Sequence, residues 1–356
     1  MGDHNRNRKN SRARKRRRKR KIIFIIEIIV LLVLCAALYL VYQWRKIGGG
    51  EINLKDLFIS EQAANNETLT GYTNIALFGL DSRYNELDGD TFSLSDTIMI
   101  ASINNETKEI KLVSVYRDTI FDTSLGDYTE YRKATEAYSL GGITRSLSML
   151  NKNLDLNITE YVSVNFLALA KAVDAVGGLD IEITEEEMVH LNNYSIETSE
   201  VTGLDYTPLT EYGLVHLNGV QATSYCRIRA TAGNDFKRTE RQRLVLSELL
   251  TKAKTANISE INKVINEVFP LTATSLKLTE AISITSSALS YDLGETAGFP
   301  FDNAPADLND SSCVAPVTLE SNVIQLHQFL FGDEEYTPSQ TVSSISADIS
   351  YLTGYY

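Results

Sequence analysis

Residues 96–118, DTIMIASINNETKEIKLVSVYRD, decide the fold. Two runs rich in β-branched residues, 96–104 and 110–116, flank an Asn-rich turn at 105–109, which is the pattern of an antiparallel hairpin. Its first strand begins at Asp96 and its second ends just before Arg117 and Asp118, so these three charged residues lie at one edge. Upstream, residues 72–80 (YTNIALFGL) form another short strand, ending in Asp81, Ser82 and Arg83. If that strand runs parallel to 110–116, Asp81 and Arg83 join the same edge. Ligand sites in α/β sheets favour the carboxyl ends of strands.

Downstream, residues 133–140 and 143–154 have helical patterning separated by Gly141 and Gly142. A strand at 161–165, a helix at 166–176 closed by Gly177 and Gly178, and an alternating strand at 179–184 follow. Strand, helix, strand predicts a parallel crossover and hence an α/β sheet. Residues 218–229 predict a short helix carrying Cys226, Arg227 and Arg229. Asp235 is placed as the N-cap of a long helix over 236–254. Two more helices are expected within 258–293, a loop at 298–316, and a last amphipathic helix at 321–331.

The N-terminus is of a different kind. Residues 1–21 hold twelve Lys or Arg and one acid, while the whole chain of 356 residues has a formal charge of −12, so the rest carries −23. Residues 22–44 are apolar apart from Glu27, Gln43 and a few small or aromatic side chains. At ~1.5 Å per residue they can cross ~30 Å of hydrocarbon. Basic residues on one flank, with Tyr39, Tyr42 and Trp44 toward the other, predict a cytoplasmic N-terminus and an extracytoplasmic C-terminal domain in the cell membrane. A cleavable signal peptide fits poorly, because no small-residue cleavage site follows Trp44. A lipid anchor at Cys35 is disfavoured by Leu34 before it. A nucleic-acid-binding arm explains the basic run less well than topology and anionic lipid do. The acidic remainder would itself be repelled by nucleic acid. Residues 45–71 are expected to form a stalk, 72–257 a catalytic domain and 258–356 a helical extension.

Absences in the sequence narrow the chemistry. There is no Walker loop, nucleophile elbow, HExxH or close cysteine pair, and His4, His190, His216 and His327 are scattered. Cys226 and Cys313 are either disulfide partners or two buried thiols. What stands out is Arg and Asp at element boundaries: Asp81, Arg83, Asp96, Arg117, Asp118, Arg227, Arg229, Asp235, Arg238, Arg241 and Gln242. Arg238, Arg241 and Gln242 open the long helix, whose free N–H groups and guanidinium forks suit phosphate oxygens. Ordinary surface ion pairs explain any one of these residues as well. They explain the set less well, because clustered arginines repel one another unless anions neutralise them. Asp81 and Asp96 beside such a site suit Mg²⁺.

The series NIALFGLDSR, SDTIMIASIN, KLVSVYRDT, KATEAYSLGG, VDAVGGLDI, HLNGVQATSYCRIR and NDFKRTERQR resembles, in content and order, the motifs of the LytR-CpsA-Psr family over residues 72 to about 254. The resemblance implies an α/β/α sandwich around a central mixed sheet, with an apolar channel for a polyprenyl chain. It implies a Mg²⁺-dependent phosphotransferase that moves a glycopolymer from a polyprenyl pyrophosphate carrier to peptidoglycan, by analogy to the 6-hydroxyl of N-acetylmuramic acid, releasing polyprenyl phosphate. By motif, Asp81 and Asp96 match the metal ligands. Arg83, Arg117, Arg227, Arg229, Arg238 and Gln242 match the pyrophosphate set, Asp235 matches an acid of the motif, and Arg241 adjoins it. Asp96 or Asp118 is the candidate general base beside catalytic Arg117. Leu94 and Tyr116 depart from the pattern, standing where family members often have Arg and Pro. A pyrophosphate phosphatase and a non-catalytic lipid-binding regulator stay open as alternatives.

Overall fold

The computed structural model describes residues 34–35, 37–39, 41–49, 52–81, 93–126, 128–231, 233–281 and 290–356. Two compact units divide the chain, residues 1–46 and 47–356. In the first, residues 41–44 are helical. No helix among the described residues is long and apolar enough to cross a membrane. Most of the expected span at 22–44, and Arg83, lie outside the described residues.

The second unit opens with a 3₁₀ turn (Leu54–Asp56) and two single-turn helices, α1 (Glu61–Ala64) and α2 (Glu67–Thr70), before strand β1 (Tyr72–Leu80). Residues 52–71, expected as part of a stalk, are thereby folded into the domain. Leu57, Ala63 and Leu69 are buried in its core. The polar residues that suggest a linker are caps here: the Asn53, Ser60 and Asn66 side chains accept backbone N–H groups at helix starts.

The hairpin forms as read, β2 (Ser95–Asn104) against β3 (Glu109–Val115). β1 lies antiparallel to β2 and so parallel to β3. After a small ribbon of β4 (Ile120–Asp122) and β5 (Tyr131–Lys133) comes α3 (Glu136–Leu154), broken by non-helical backbone at Gly141 and Gly142. β6 (Glu160–Val164) returns parallel to β1, and α4 (Phe166–Ala175) follows.

The expected crossover from 161–165 to 179–184 does not occur within this sheet. β7 (Leu179–Ile183) pairs antiparallel with β8 (Gly213–Leu217) in a separate ribbon. Its side chains alternate strictly between buried and exposed. Such a strand suits a sheet with one wet face rather than the middle of a parallel sheet covered on both. Between β7 and β8 runs α5 (Glu185–Thr202), a helix not foreseen, started by a reciprocal capping box of Thr184 and Glu187.

α6 (Gly219–Tyr225) and the long α7 (Asn234–Lys254) complete the middle of the chain. Gly233, not Asp235, is the N-cap of α7, and Asp235 sits in its first turn. Residues 258–356 are more than a helical extension. After α8 (Ile258–Lys263) and a π-helical turn (Val264–Val268), β9 (Thr272–Thr274) and β10 (Asp292–Phe299) join opposite edges of the central sheet. The expected loop at 298–316 is mostly the hairpin β11 (Asn303–Leu308) and β12 (Ser311–Pro316). Pro305 and Pro316 are tolerated there because a two-stranded ribbon is all edge. α9 (Leu319–Phe331) and α10 (Gln340–Thr353) close the fold.

The result is a mixed α/β domain around a six-stranded mixed sheet, ordered β10-β3-β2-β1-β6-β9. Strand alternation assigns its two faces. Ala76, Phe78, Ile98, Ile100 and Tyr161 pack into one core with α3, α9 and α10. Leu77, Gly79, Thr97, Met99, Val162 and Val164 line a cavity instead, beneath α4 and α7.

Candidate active site

The carboxyl ends of β1 and β3 and the start of β2 meet at one edge, as the hairpin requires. Leu80 pairs with Ser95, and the Asp81 N–H donates to the Leu94 carbonyl at 3.2 Å. Asp96 is the hub. Its Oδ1 accepts from Arg117, and its Oδ2 from Arg238 at 2.9 Å and Arg229 at 3.3 Å. Burial alone would raise the Asp96 carboxyl. The guanidinium groups of Arg238, Arg117 and Arg229 reverse that and hold it below the ordinary carboxylate range.

Asp118 and Asp235 complete the cluster. Asp118 faces Lys133 at 3.2 Å and Arg117 at 3.5 Å, and Asp235 faces Arg229 at 3.2 Å and Arg238 at 3.7 Å. Arg117, Lys133, Arg229 and Arg238 thus meet Asp96, Asp118 and Asp235 in one ion-paired cluster. Arg238 is 4% exposed, and burial pushes its guanidinium below the usual arginine range. Its Nε and the Gln242 Oε1 are buried without a hydrogen-bond partner. Each such group costs about 1–3 kcal/mol unless a ligand satisfies it. Both residues line the cavity.

That cavity, of about 210 Å³, is apolar along most of its wall. Leu169 and Ala172 of α4 face Val245, Leu246 and Leu249 of α7 across it. Asp96, Arg227, Arg238 and Gln242 supply its charged and polar end. Along α7, Arg238 to Leu249 is eleven residues, or ~16 Å of helix. The site can therefore hold an anionic head beside a long apolar tail.

The structure distributes the arginines unevenly. Arg117, Arg229 and Arg238 converge on Asp96. Arg227 lines the same cavity but is held by Glu197 at 2.9 Å and Thr198 at 2.8 Å, and lies over the Phe166 ring at 4.7 Å. Arg241 does not join them. Its Nε donates to Glu187 at 2.8 Å, Nη1 to the Ile228 carbonyl at 3.1 Å and Nη2 to Thr231 at 2.7 Å. It therefore clamps the segment that carries Arg227 and Arg229 and makes no contact with Asp96. Asp235 likewise serves as a partner of arginines.

Glu187, Glu197 and Thr198 were not foreseen as partners. The Thr184–Glu187 capping pattern could have revealed α5 and with it all three. Arg243 is a further surprise, 8% exposed with Nε and Nη1 unpartnered. Cys226 and Cys313 are free thiols in separate cores. Burial pushes the Cys226 thiol up to about 12.

The fold and site together are a mixed α/β domain with an apolar cavity rimmed by arginines. The chain belongs to the LytR_cpsA_psr family, whose sequence profile matches residues 53–301. It is 29% identical over 227 residues to Biofilm regulatory protein A of Streptococcus mutans, covering 62% of this chain and 52% of that protein. It is 32% identical over 176 residues to the polyisoprenyl-teichoic acid–peptidoglycan teichoic acid transferase TagU of Enterococcus faecalis, covering 49% of this chain and 52% of the relative. The chain spans about half the length of these curated relatives. The crystal structure of Bacillus subtilis TagV superposes with a TM-score of 0.57 at 21% identity, covering 75% of this chain and 98% of that one. That likeness concerns the fold.

Proposed function

We propose that this protein transfers a glycopolymer from a polyprenyl pyrophosphate carrier to peptidoglycan. The observation that carries the reading is the apolar cavity ending at Asp96, Arg227, Arg238 and Gln242. A prenyl tail fills the cavity and the pyrophosphate meets the arginines. The name of the E. faecalis relative, a teichoic acid transferase acting on peptidoglycan, supports the same reading.

In the proposed reaction, an acceptor sugar hydroxyl attacks the sugar-side phosphorus. By family analogy this is the 6-hydroxyl of N-acetylmuramic acid. The new phosphodiester bond forms as the bond to the bridging oxygen breaks, and polyprenyl phosphate leaves with the electron pair. Arg117, Arg229 and Arg238 stabilise charge on the non-bridging and leaving oxygens, in a site where little reorganisation is needed. Asp96 or Asp118 accepts the hydroxyl proton, and the loose transition state does not demand a strong base. Arg83 belongs to the same set by motif.

Asp81 and Asp96 fit Mg²⁺ in the chemical sense: two hard oxygen donors at adjoining strand ends, one exposed and one bound to arginines. Among the described residues no group of three His, Cys, Asp or Glu could hold a metal unaided. Such a pair suits an ion whose remaining ligands are phosphate and water. When bound, Mg²⁺ would neutralise pyrophosphate charge. The apolar run at 22–44 serves as the membrane span, with the basic tail cytoplasmic and the domain outside.

The test is turnover by the full chain in lipid vesicles, given a polyprenyl-pyrophosphate oligosaccharide and peptidoglycan. A covalent oligosaccharide–peptidoglycan phosphodiester is expected. Free sugar phosphate instead would mean a phosphatase, and tight lipid binding without turnover would mean a regulator.

A further inference from the structure

The cavity has an end away from the arginines, and exposed apolar side chains lie near it. Leu249 of α7, Ala172 of α4 and Val268 line it there. Val268 closes the π-helical turn that continues directly from α8. α8 buries none of its residues. Ile258 is 79% exposed and Ile261 41%, on a helix held in shape by the Asn257–Glu260 capping box. Two isoleucines are thus presented to solvent near the apolar end of the cavity.

A second observation concerns where the chain joins this unit. Three residues beyond the turn, β9 begins. The Gly48 N–H donates to the Thr272 carbonyl at 2.9 Å, and the Gly48 carbonyl accepts from Thr274 at 3.1 Å. β9 is an edge strand of the central sheet. The apolar run 22–44 ends four residues before Gly48 in sequence.

We propose that the edge formed by α8, the π-helical turn and β9 rests on the lipid bilayer, and that the carrier's prenyl tail passes between bilayer and cavity there. This rests on the lipid-carrier reading above. Apolar side chains are exposed at this edge because they meet acyl chains. Two isoleucines are too few to hold a free protein at a membrane. A covalent tether supplies the local concentration, so they need only set the orientation. The acidic remainder of the chain would not be drawn to anionic lipid by charge, which leaves apolar contact as the orienting force.

The experiment uses full-length protein carrying Cys35→Ser, in phosphatidylcholine–phosphatidylglycerol vesicles doped with nitroxide-labelled phosphatidylcholine. An environment-sensitive fluorophore is placed at Ile258→Cys or Ile261→Cys, with Leu214→Cys and Tyr351→Cys as controls. Strong nitroxide quenching at 258 and 261, several-fold above the controls, is expected. Equal quenching at all four, or none at 258 and 261, overturns the proposal. So does protection that follows protein density instead of nitroxide lipid, because a second copy would then cover the face.

A paired variant, Ile258→Asp with Ile261→Asp, addresses tail passage. Loading of fluorescent polyprenyl phosphate from vesicles should slow about tenfold, with loading from detergent micelles unchanged. Equal slowing from both sources overturns the passage. Failure of the unaltered protein to load from either source would instead sink the lipid-carrier reading, and the quenching data would still judge the edge.

Discussion

Arg238 donates Nη2–H to Asp96 at 2.9 Å while its Nε, buried beside the apolar cavity, has no partner. One side of the guanidinium is thus fixed by a carboxylate and another is kept for a ligand. Replacing it with lysine keeps the charge but loses the planar fork. Arg238→Lys is expected to lower the transfer rate about a hundredfold, the scale found when a preorganised donor is lost. Melting should change little. Steady-state kinetics beside a thermal melt check this, and an unchanged rate would remove Arg238 from the site.

Arg241 should behave differently, because its three hydrogen bonds go to Glu187, Ile228 and Thr231. Burial alone would raise the Glu187 carboxyl, and hydrogen bonds from Thr184 and Arg241 turn the shift downward. Arg241→Ala should cost roughly 3 kcal/mol by stranding that carboxylate. Adding Glu187→Gln should recover part of it, with a coupling of about 1–3 kcal/mol. Additive losses in a double-mutant cycle would mean the clamp is not one.

Leu94 is 38% exposed at the strand edge beside Asp81. Leu94→Arg would add a fork at the position where family members often carry one. Pyrophosphate-lipid affinity should rise, by about 1.5–3 kcal/mol if a charge-assisted hydrogen bond forms. Titration calorimetry with a short-chain prenyl pyrophosphate reads it out. No change would mean that the position does not face the phosphates.

A pH effect on stability comes from far outside the site. His327 is fully buried, stacked on Tyr336 at 3.6 Å, with Nε2 bonded to the Leu154 carbonyl and Nδ1 unpartnered. Burial pushes its pKa down to about 4. The unfolded chain takes up a proton near pH 6.5 and the folded one only near 4. The contribution is therefore complete above about pH 6.5 and is lost as pH falls toward 4, amounting to on the order of 3 kcal/mol. His327→Phe should flatten that part of the melting-temperature profile. A slope unchanged by the substitution would assign it to other groups.

How far the sequence led depends on the range of the interactions involved. The hairpin at 96–118 and the edge it creates were legible because strand alternation and an Asn-rich turn are local signals. So were the Asp96, Arg117, Arg229 and Arg238 positions, each at an element boundary. β9 and β10 were not, since a three-residue strand and the Gly-containing run at 292–299 acquire their state from partners far away in sequence. The polar run at 52–71 reads as a linker because capping and linker residues are the same residue types, and Asn53, Ser60 and Asn66 cap helices there. Helical spacing and the adjoining motif place Arg241 with Arg238 and Gln242 but do not tell which way its side chain turns. Glu187, on a helix started by the Thr184–Glu187 capping box, decides that orientation.

The position of the bound carrier decides whether this cavity and its arginines are the catalytic site. A crystal structure with a polyprenyl pyrophosphate would decide it most directly. The tail is expected along Leu169, Met99, Val245 and Leu249, with phosphate oxygens within hydrogen-bond distance of Arg117, Arg227 and Arg238. A lipid bound elsewhere, leaving the cavity vacant and the Arg238 Nε still without an acceptor, would contradict it.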